Sequence, residues 1–155
     1  MTLLPEEFII RTSIGKSTHR LGAFDDALLK AGIGNYNLIK VSSILPPQCV
    51  LRKEITLEKG ALLPSAYASI CSSDIGTTIS AAVAVGIPID SSMNGVIMEH
   101  STIGSKTETE KTVRTYVKQA MLARNLVIKE IISVSTEVTV TSNEIYCTFA
   151  TVSMW

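Results

Sequence analysis

The chain has 155 residues, 46% hydrophobic and 18% charged, with 14 Lys plus Arg against 14 Asp plus Glu. That length suits one domain with a full core, and zero net charge argues against a nucleic-acid binder, which shows a basic excess. So few charges make a lean polar surface, and part of the apolar surface is expected to be buried between subunits.

The opening MTLLPEEFII carries acids where a secretory signal needs a basic start. Glu7 to Arg11 reads as a short first strand, and Thr12 to Leu21 as a polar loop. Phe24, Ala27, Leu28 and Ala31 fall on one face of a helix that Gly32 stops. Gly32-Ile33-Gly34 turns the chain into a strand from about Tyr36 to Ser42, which meets the pair Ser42-Ser43 and then Pro46-Pro47. Val50 to Ile55 and Ala61 to Ser72 are strand candidates. Thr78 to Val85 is apolar almost throughout, so both its faces should be covered. The apolar run continues to Ile89, but Ser80, Gly86 and Pro88 interrupt it, and it is too short to span a bilayer. Gly95 to Glu99 is a short strand. Ser105 and Glu108 form a capping box, and Val113, Val117 and Met121 follow at helical spacing, which predicts an amphipathic helix from about Lys106 to Arg124. Ile131 to Thr141 and Glu144 to Met154 alternate as strands and could pair as a hairpin around Ser142-Asn143. Strand runs with one long and one short helix make a single α+β domain over 1–155.

Several motifs fail. Gly15-Lys16-Ser17 lacks the earlier glycine of a phosphate-binding loop, since Ile10 stands there. Gly32-x-Gly34 lacks the third glycine of a dinucleotide fingerprint, since Asn37 stands there. His19 and His100 have no metal-ligand spacing, so no metal is expected. No Gly-x-Ser-x-Gly elbow supports a serine triad. Cys49, Cys71 and Cys147 are odd in number and far apart, which suggests reduced thiols in a cytoplasmic protein rather than a disulfide frame.

The segment FDDALLKAGIGNYNLIKVSSILPP at Phe24 to Pro47, with GVIMEH at Gly95 to His100, resembles the pyruvoyl-dependent arginine decarboxylases. ALLPSAY from Ala61, TISAAVAVGIP from Thr78 and EKTVR from Glu110 extend the resemblance over most of the chain. The resemblance implies a layered αββα sandwich of mainly antiparallel sheets with flanking helices. It implies a trimer of αβ units, with a hexamer as the larger alternative, and active sites between subunits. It also implies that the chain cuts itself between Ser42 and Ser43, into 1–42 and 43–155. Ser43 Oγ attacks the Ser42 carbonyl, shifts the amide to an ester, and β-elimination leaves dehydroalanine, which hydrolyses to a pyruvoyl group and ammonia. That covalent pyruvoyl cofactor, derived from Ser43, then forms a Schiff base with L-arginine and draws electrons as CO2 leaves to give agmatine.

By the same resemblance, Glu99 is the acid that returns a proton to Cα. A glutamate in an otherwise apolar strand should have a raised pKa, which suits that task. Asn37 would orient the scissile carbonyl or stabilise its oxyanion. Asp25 would hold the guanidinium through parallel hydrogen bonds, and Leu28, Gly34, Tyr36 and Ile97 would line the pocket. Tyr36 is larger than the resemblance leads one to expect. An inward ring would narrow the pocket, so the same chemistry on another amino acid is one alternative. A non-enzymatic oligomeric binding module, with the serine pair only a strand end, is the other.

Overall fold

The computed structural model describes residues 4–155. Nine strands and two helices follow in the order β1 (Glu7–Ser17), α1 (Arg20–Lys30), β2 (Asn37–Lys40), β3 (Ile44–Leu45), β4 (Val50–Leu51), β5 (Leu62–Ser72), β6 (Thr78–Pro88), β7 (Gly95–Ile103), α2 (Lys106–Ala123), β8 (Ile128–Thr139) and β9 (Ile145–Met154). They make a five-stranded sheet, β2-β5-β9-β1-β4, and a four-stranded sheet, β3-β7-β6-β8. Two pairings, β1 with β4 and β2 with β5, are parallel; the rest are antiparallel.

Strand alternation explains the layers. Ala81, Val83 and Val85 of β6 face the other sheet and meet Phe8, Ala66, Ile97 and Val152. Ala82 and Ala84, on the opposite face, pack under Val113, Val117 and Met121 of α2. On the other side of the molecule, Ala27 and Ala31 of α1 pack on Ile9, Leu63 and Phe149. The result is the αββα sandwich, and β6 is covered on both faces as its apolar run requires.

The helix starts are chemically specified. Ser105 Oγ accepts from the Glu108 N–H at 3.3 Å, as the capping box predicts. At α1 the cap is His19, whose Nδ1 accepts from the Gly22 N–H at 3.0 Å, so this helix begins a turn before Phe24.

Four readings need correction. The stretch taken as a loop from Thr12 is strand through Ser17, because it pairs with β9 residue by residue. Gly15 permits this: a Cβ there would collide with the Ala23 carbonyl and the Ala27 backbone of α1. The strand expected to reach Ser42 ends at Lys40, and Ile44-Leu45 is a separate strand in the other sheet. The strand expected from Val50 to Ile55 is only Val50–Leu51. Finally, β8 and β9 are not a hairpin. β9 is buried along nearly its whole length between β5 and β1, whereas β8 is the half-buried edge of the other sheet.

Candidate active site

The serine pair sits where the chain changes sheets. β2 runs parallel to β5 at the edge of the five-stranded sheet, with Lys40 opposite Ser65. The Val41 N–H still bonds the Ser65 carbonyl, at 3.2 Å. Three residues later the chain has joined the other sheet, with Ile44 opposite Val96 of β7. Ser42 and Ser43 bridge the gap. The Ile44 N–H donates to the Ser42 carbonyl at 2.9 Å, which closes a three-residue turn centred on Ser43. The Ser43 carbonyl accepts from the Ile97 N–H at 2.8 Å. The peptide between the serines thus has its carbonyl on one fixed donor and its following residue anchored on β7.

Pro46 and Pro47 act one step later than their position suggests. They shape the turn after β3, where the Cys49 N–H donates to the Pro46 carbonyl at 3.3 Å. Gln48 takes φ of 60° there, a left-handed conformation unusual for a side chain of its size.

Glu99 reaches the pair from β7. Ile97 is buried in the inter-sheet core, and Ser101 Oγ donates to the Ser69 carbonyl of β5 at 3.1 Å. Glu99 lies between them on the same strand face, pointed into the gap between the sheets. Ser43 Oγ donates to Glu99 Oε2 at 3.4 Å, a long bond. Burial pushes the Glu99 carboxyl above its ordinary value; the Lys40 charge and the Ser43 bond pull the other way. Lys40 itself rests over the Tyr67 ring, its Nζ 4.6 Å from the centroid.

Ser42, Ser43, Glu99 and the Ile97 backbone are therefore together. Asn37, Asp25, Leu28, Gly34 and Tyr36 form a second group around α1 and the start of β2. Asn37 Nδ2 donates to the Gly60 carbonyl at 2.7 Å, and Asn37 stands up to about 17 Å of extended chain from Ser42. Asp25 is exposed on α1, and Leu28 joins the cluster beneath that helix. Gly34 backs onto Leu29, whose side chain would meet any added Cβ. The Tyr36 ring packs in the α1 cluster, and its hydroxyl donates to the Leu57 carbonyl at 3.4 Å.

Two contributors escaped sequence reasoning. One is Lys40, two residues before the pair, visible only as a cation within a short strand. The other is the backbone N–H of Ile44, which no residue-type signal announces. Beside the serine loop runs an apolar groove of about 480 Å³, lined among others by Ile39, Val41, Ile44, Leu62, Pro64 and Trp155. Ile39 and Leu62 are 43% and 65% exposed. Among the described residues no three His, Cys, Asp or Glu side chains cluster as metal ligands, and no helix is long and apolar enough to cross a membrane.

The model of the family described as pyruvoyl-dependent arginine decarboxylase matches residues 7–155. The chain is 47% identical over 141 residues to a protein named pyruvoyl-dependent arginine decarboxylase from Methanococcus aeolicus, covering 91% of this chain and 84% of that one. It is 47% identical over 135 residues to the protein of that name from Methanocaldococcus jannaschii, covering 87% and 81%. It is 39% identical over 138 residues to that from Pyrococcus abyssi, covering 88% and 87%.

Proposed function

This chain belongs to the pyruvoyl-dependent arginine decarboxylase family, and from that premise we propose that it cuts itself between Ser42 and Ser43 and then decarboxylates L-arginine to agmatine. The observation that carries the cut is the hydrogen-bonded turn: the Ser42 carbonyl on the Ile44 N–H, with the Ser43 hydroxyl beside Glu99. Attack by Ser43 Oγ on the Ser42 carbonyl carbon builds charge on the carbonyl oxygen. The Ile44 donor is already aimed at that oxygen. The Ser43 nitrogen leaves carbon for a proton as the amide becomes an ester. β-Elimination releases Ser42 as a carboxylate, and hydrolysis of the dehydroalanine at 43 releases ammonia.

The residues present fit the pyruvoyl group this would make. Position 43 is partly exposed at the mouth of the inter-sheet gap, beside one carboxyl and one cation. The group supplies the electron sink for decarboxylation. Burial raises the Glu99 pKa, which favours its protonated form, and that form delivers the proton to the substrate Cα. Lys40 tempers that shift, so the carboxyl can also give the proton up. The Ile97 N–H keeps residue 43 in register with Glu99.

Of the substrate-binding residues, Ile97 lies beside Ser43 and Glu99, whereas Asp25, Leu28, Gly34 and Tyr36 sit on α1 and in the turn leading to β2. The working site is therefore closed by a neighbouring copy, in a trimer of αβ units. The apolar groove and the exposed Ile39 and Ile44 beside the serine loop support that closure. Asp25 then receives the guanidinium as a two-oxygen acceptor, and Asn37, whose amide is held on the Gly60 carbonyl within its own chain, acts on the scissile region across the same contact between copies. A cytoplasmic setting, where cysteines stay reduced, goes with this reading.

Intact mass tests the cut. The parent should give two pieces divided between Ser42 and Ser43, while Ser43→Ala stays at 16.7 kDa. A parent that stays whole under conditions where it turns over substrate would overturn self-processing. Amine analysis after incubation with a panel of amino acids tests the substrate. Consumption of another amino acid with arginine untouched would overturn the arginine assignment.

A further inference from the structure

A second reactive constellation lies on the far face of the five-stranded sheet. Cys71 of β5 stands directly opposite Cys147 of β9. Directly opposed residues of antiparallel strands share a face, with Cα atoms about 4.5 to 5.5 Å apart. A disulfide accepts about 4.4 to 6.8 Å. Their environments differ. Cys147 is fully buried, and its sulfur lies 3.1 Å from Ser69 Oγ. Cys71 is partly exposed, in the wall of an open pocket of about 420 Å³ lined also by Arg20, Leu21, Phe24 and Ser69.

We propose that Cys71 and Cys147 form a peroxide-reactive dithiol, with Cys71 the attacking sulfur, Cys147 the resolving sulfur, and a disulfide between β5 and β9 the product. The pocket gives a small hydroperoxide access to Cys71 alone. The Cys147 thiol, with help from Arg20 and Ser69, holds the Cys71 pKa down to about 7 against burial. Cys147 is pushed up by Cys71 and by burial, so it keeps its proton until the second step. Cys49 is different: burial raises it to about 11.

The steps balance. The Cys71 thiolate attacks one peroxide oxygen, the O–O bond breaks, and the departing oxygen takes a proton to become water. Cys71 is now a sulfenic acid. The Cys147 sulfur then attacks Cys71, the S–O bond breaks, and the released hydroxide takes the Cys147 proton. Two thiols and one hydroperoxide give one disulfide, with two electrons passed to the oxidant; for hydrogen peroxide the by-product is two waters. Both cysteines lie in residues 43–155, so self-cleavage leaves the pair on one piece.

The test uses the full protein and hydrogen peroxide, with thiol alkylation and peptide mapping as readouts. Before oxidation, Cys71 should alkylate about fifty-fold faster than Cys49 at neutral pH, after allowing for the lower nucleophilicity of the more acidic thiol. Mild peroxide should remove two hydrogens and link the Cys71 peptide to the Cys147 peptide. Cys147→Ser should leave Cys71 as a sulfenic acid trapped by a cyclic 1,3-dione, and Cys71→Ser should yield neither product. A parent in which Cys71 and Cys147 stay alkylatable, while peroxide oxidises Cys49 or methionine, overturns the proposal. Faster alkylation of Cys49 than of Cys71 overturns it as well. The parent readings decide the matter even if a variant fails to fold, and none depends on turnover of arginine.

Discussion

Replacing Ile44 by Pro removes one hydrogen, the N–H that donates to the Ser42 carbonyl at 2.9 Å. Among the described residues it is the one donor on that oxygen. In the resting chain the bond joins two neutral groups and is worth about 1 kcal/mol. During attack by Ser43 Oγ the acceptor becomes an oxyanion, and loss of such a donor costs about 3 kcal/mol, or roughly 10²-fold to 10³-fold in rate. Proline also steers the preceding residue toward extended backbone, away from the turn centred on Ser43, so both consequences slow the cut. The anchor from Ile97 N–H to the Ser43 carbonyl is untouched. Ile44→Val is the control: it keeps the N–H and loses one methylene from a side chain already 39% exposed. The assay is the first-order appearance of the two pieces by intact mass in freshly made protein. Pro at 44 should leave nearly all chain whole when the parent has finished, while Val stays within a few-fold of the parent. If the Pro variant cuts at the parental rate, the oxyanion is held by something other than Ile44. If Val slows it as much as Pro, the side chain and not the N–H is responsible.

Glu99→Gln keeps an oxygen for the Ser43 hydroxyl but has no proton to give, so cutting should persist while turnover falls by about 10²-fold to 10⁴-fold. Uncut Glu99→Gln protein would contradict this division. Because burial raises the Glu99 pKa, its stabilising contribution is full below the ordinary carboxyl range and lost as pH rises through the folded value. Glu99→Gln should therefore melt higher than the parent at neutral pH, with the difference shrinking in acid. Lys40→Met removes a cation that lowers the Glu99 pKa, so the alkaline limb of the pH–rate profile, where the protonated acid is lost, should move to higher pH. An unmoved limb would exclude Lys40 from the proton chemistry. Gly15→Ala drives a methyl into the Ala23 carbonyl and Ala27 backbone of α1. It should cost about 3 kcal/mol, or roughly 10 °C in melting temperature; a change under 2 °C would mean α1 does not rest on this glycine.

The parts of the fold legible in the sequence were those written locally. Ser105 with Glu108, and Val113, Val117 and Met121, specify α2 without reference to the rest of the chain. The almost wholly apolar run of β6 announces cover on both faces. What the sequence hid depends on distant partners. β3 is two residues long and exists only because β7 accepts it. β8 and β9 alternate much alike, and nothing between them says that they join different sheets. The site divides the same way. Ser42, Ser43 and Glu99 stand out because their motif is specific, whereas Lys40 reads as an ordinary surface cation until its charge is set beside Glu99. Cys71 and Cys147 look unrelated in the sequence and become opposite neighbours only through the register of β5 and β9.

The change of sheets at the serine pair explains how the proposed cut would leave the domain intact. On the upstream side, Val41 is still tied to Ser65, β2 lies along β5, and β1 pairs with β9 from Phe8 to Ser17. On the downstream side, residue 43 is tied to Ile97 and β3 to β7. Each end keeps its own sheet, and Phe8 of the upstream piece stays buried in the inter-sheet core with Leu45 and Ile97 of the downstream piece. The bond between Ser42 and Ser43 is thus a connection that the packing of the two sheets makes dispensable. Had the pair stood within β6 or β9, buried on both faces, a cut would open a central strand and the core beside it. At the crossover, the carbonyl is held by one donor, the hydroxyl faces one carboxyl group, and a cut would unpair no ladder.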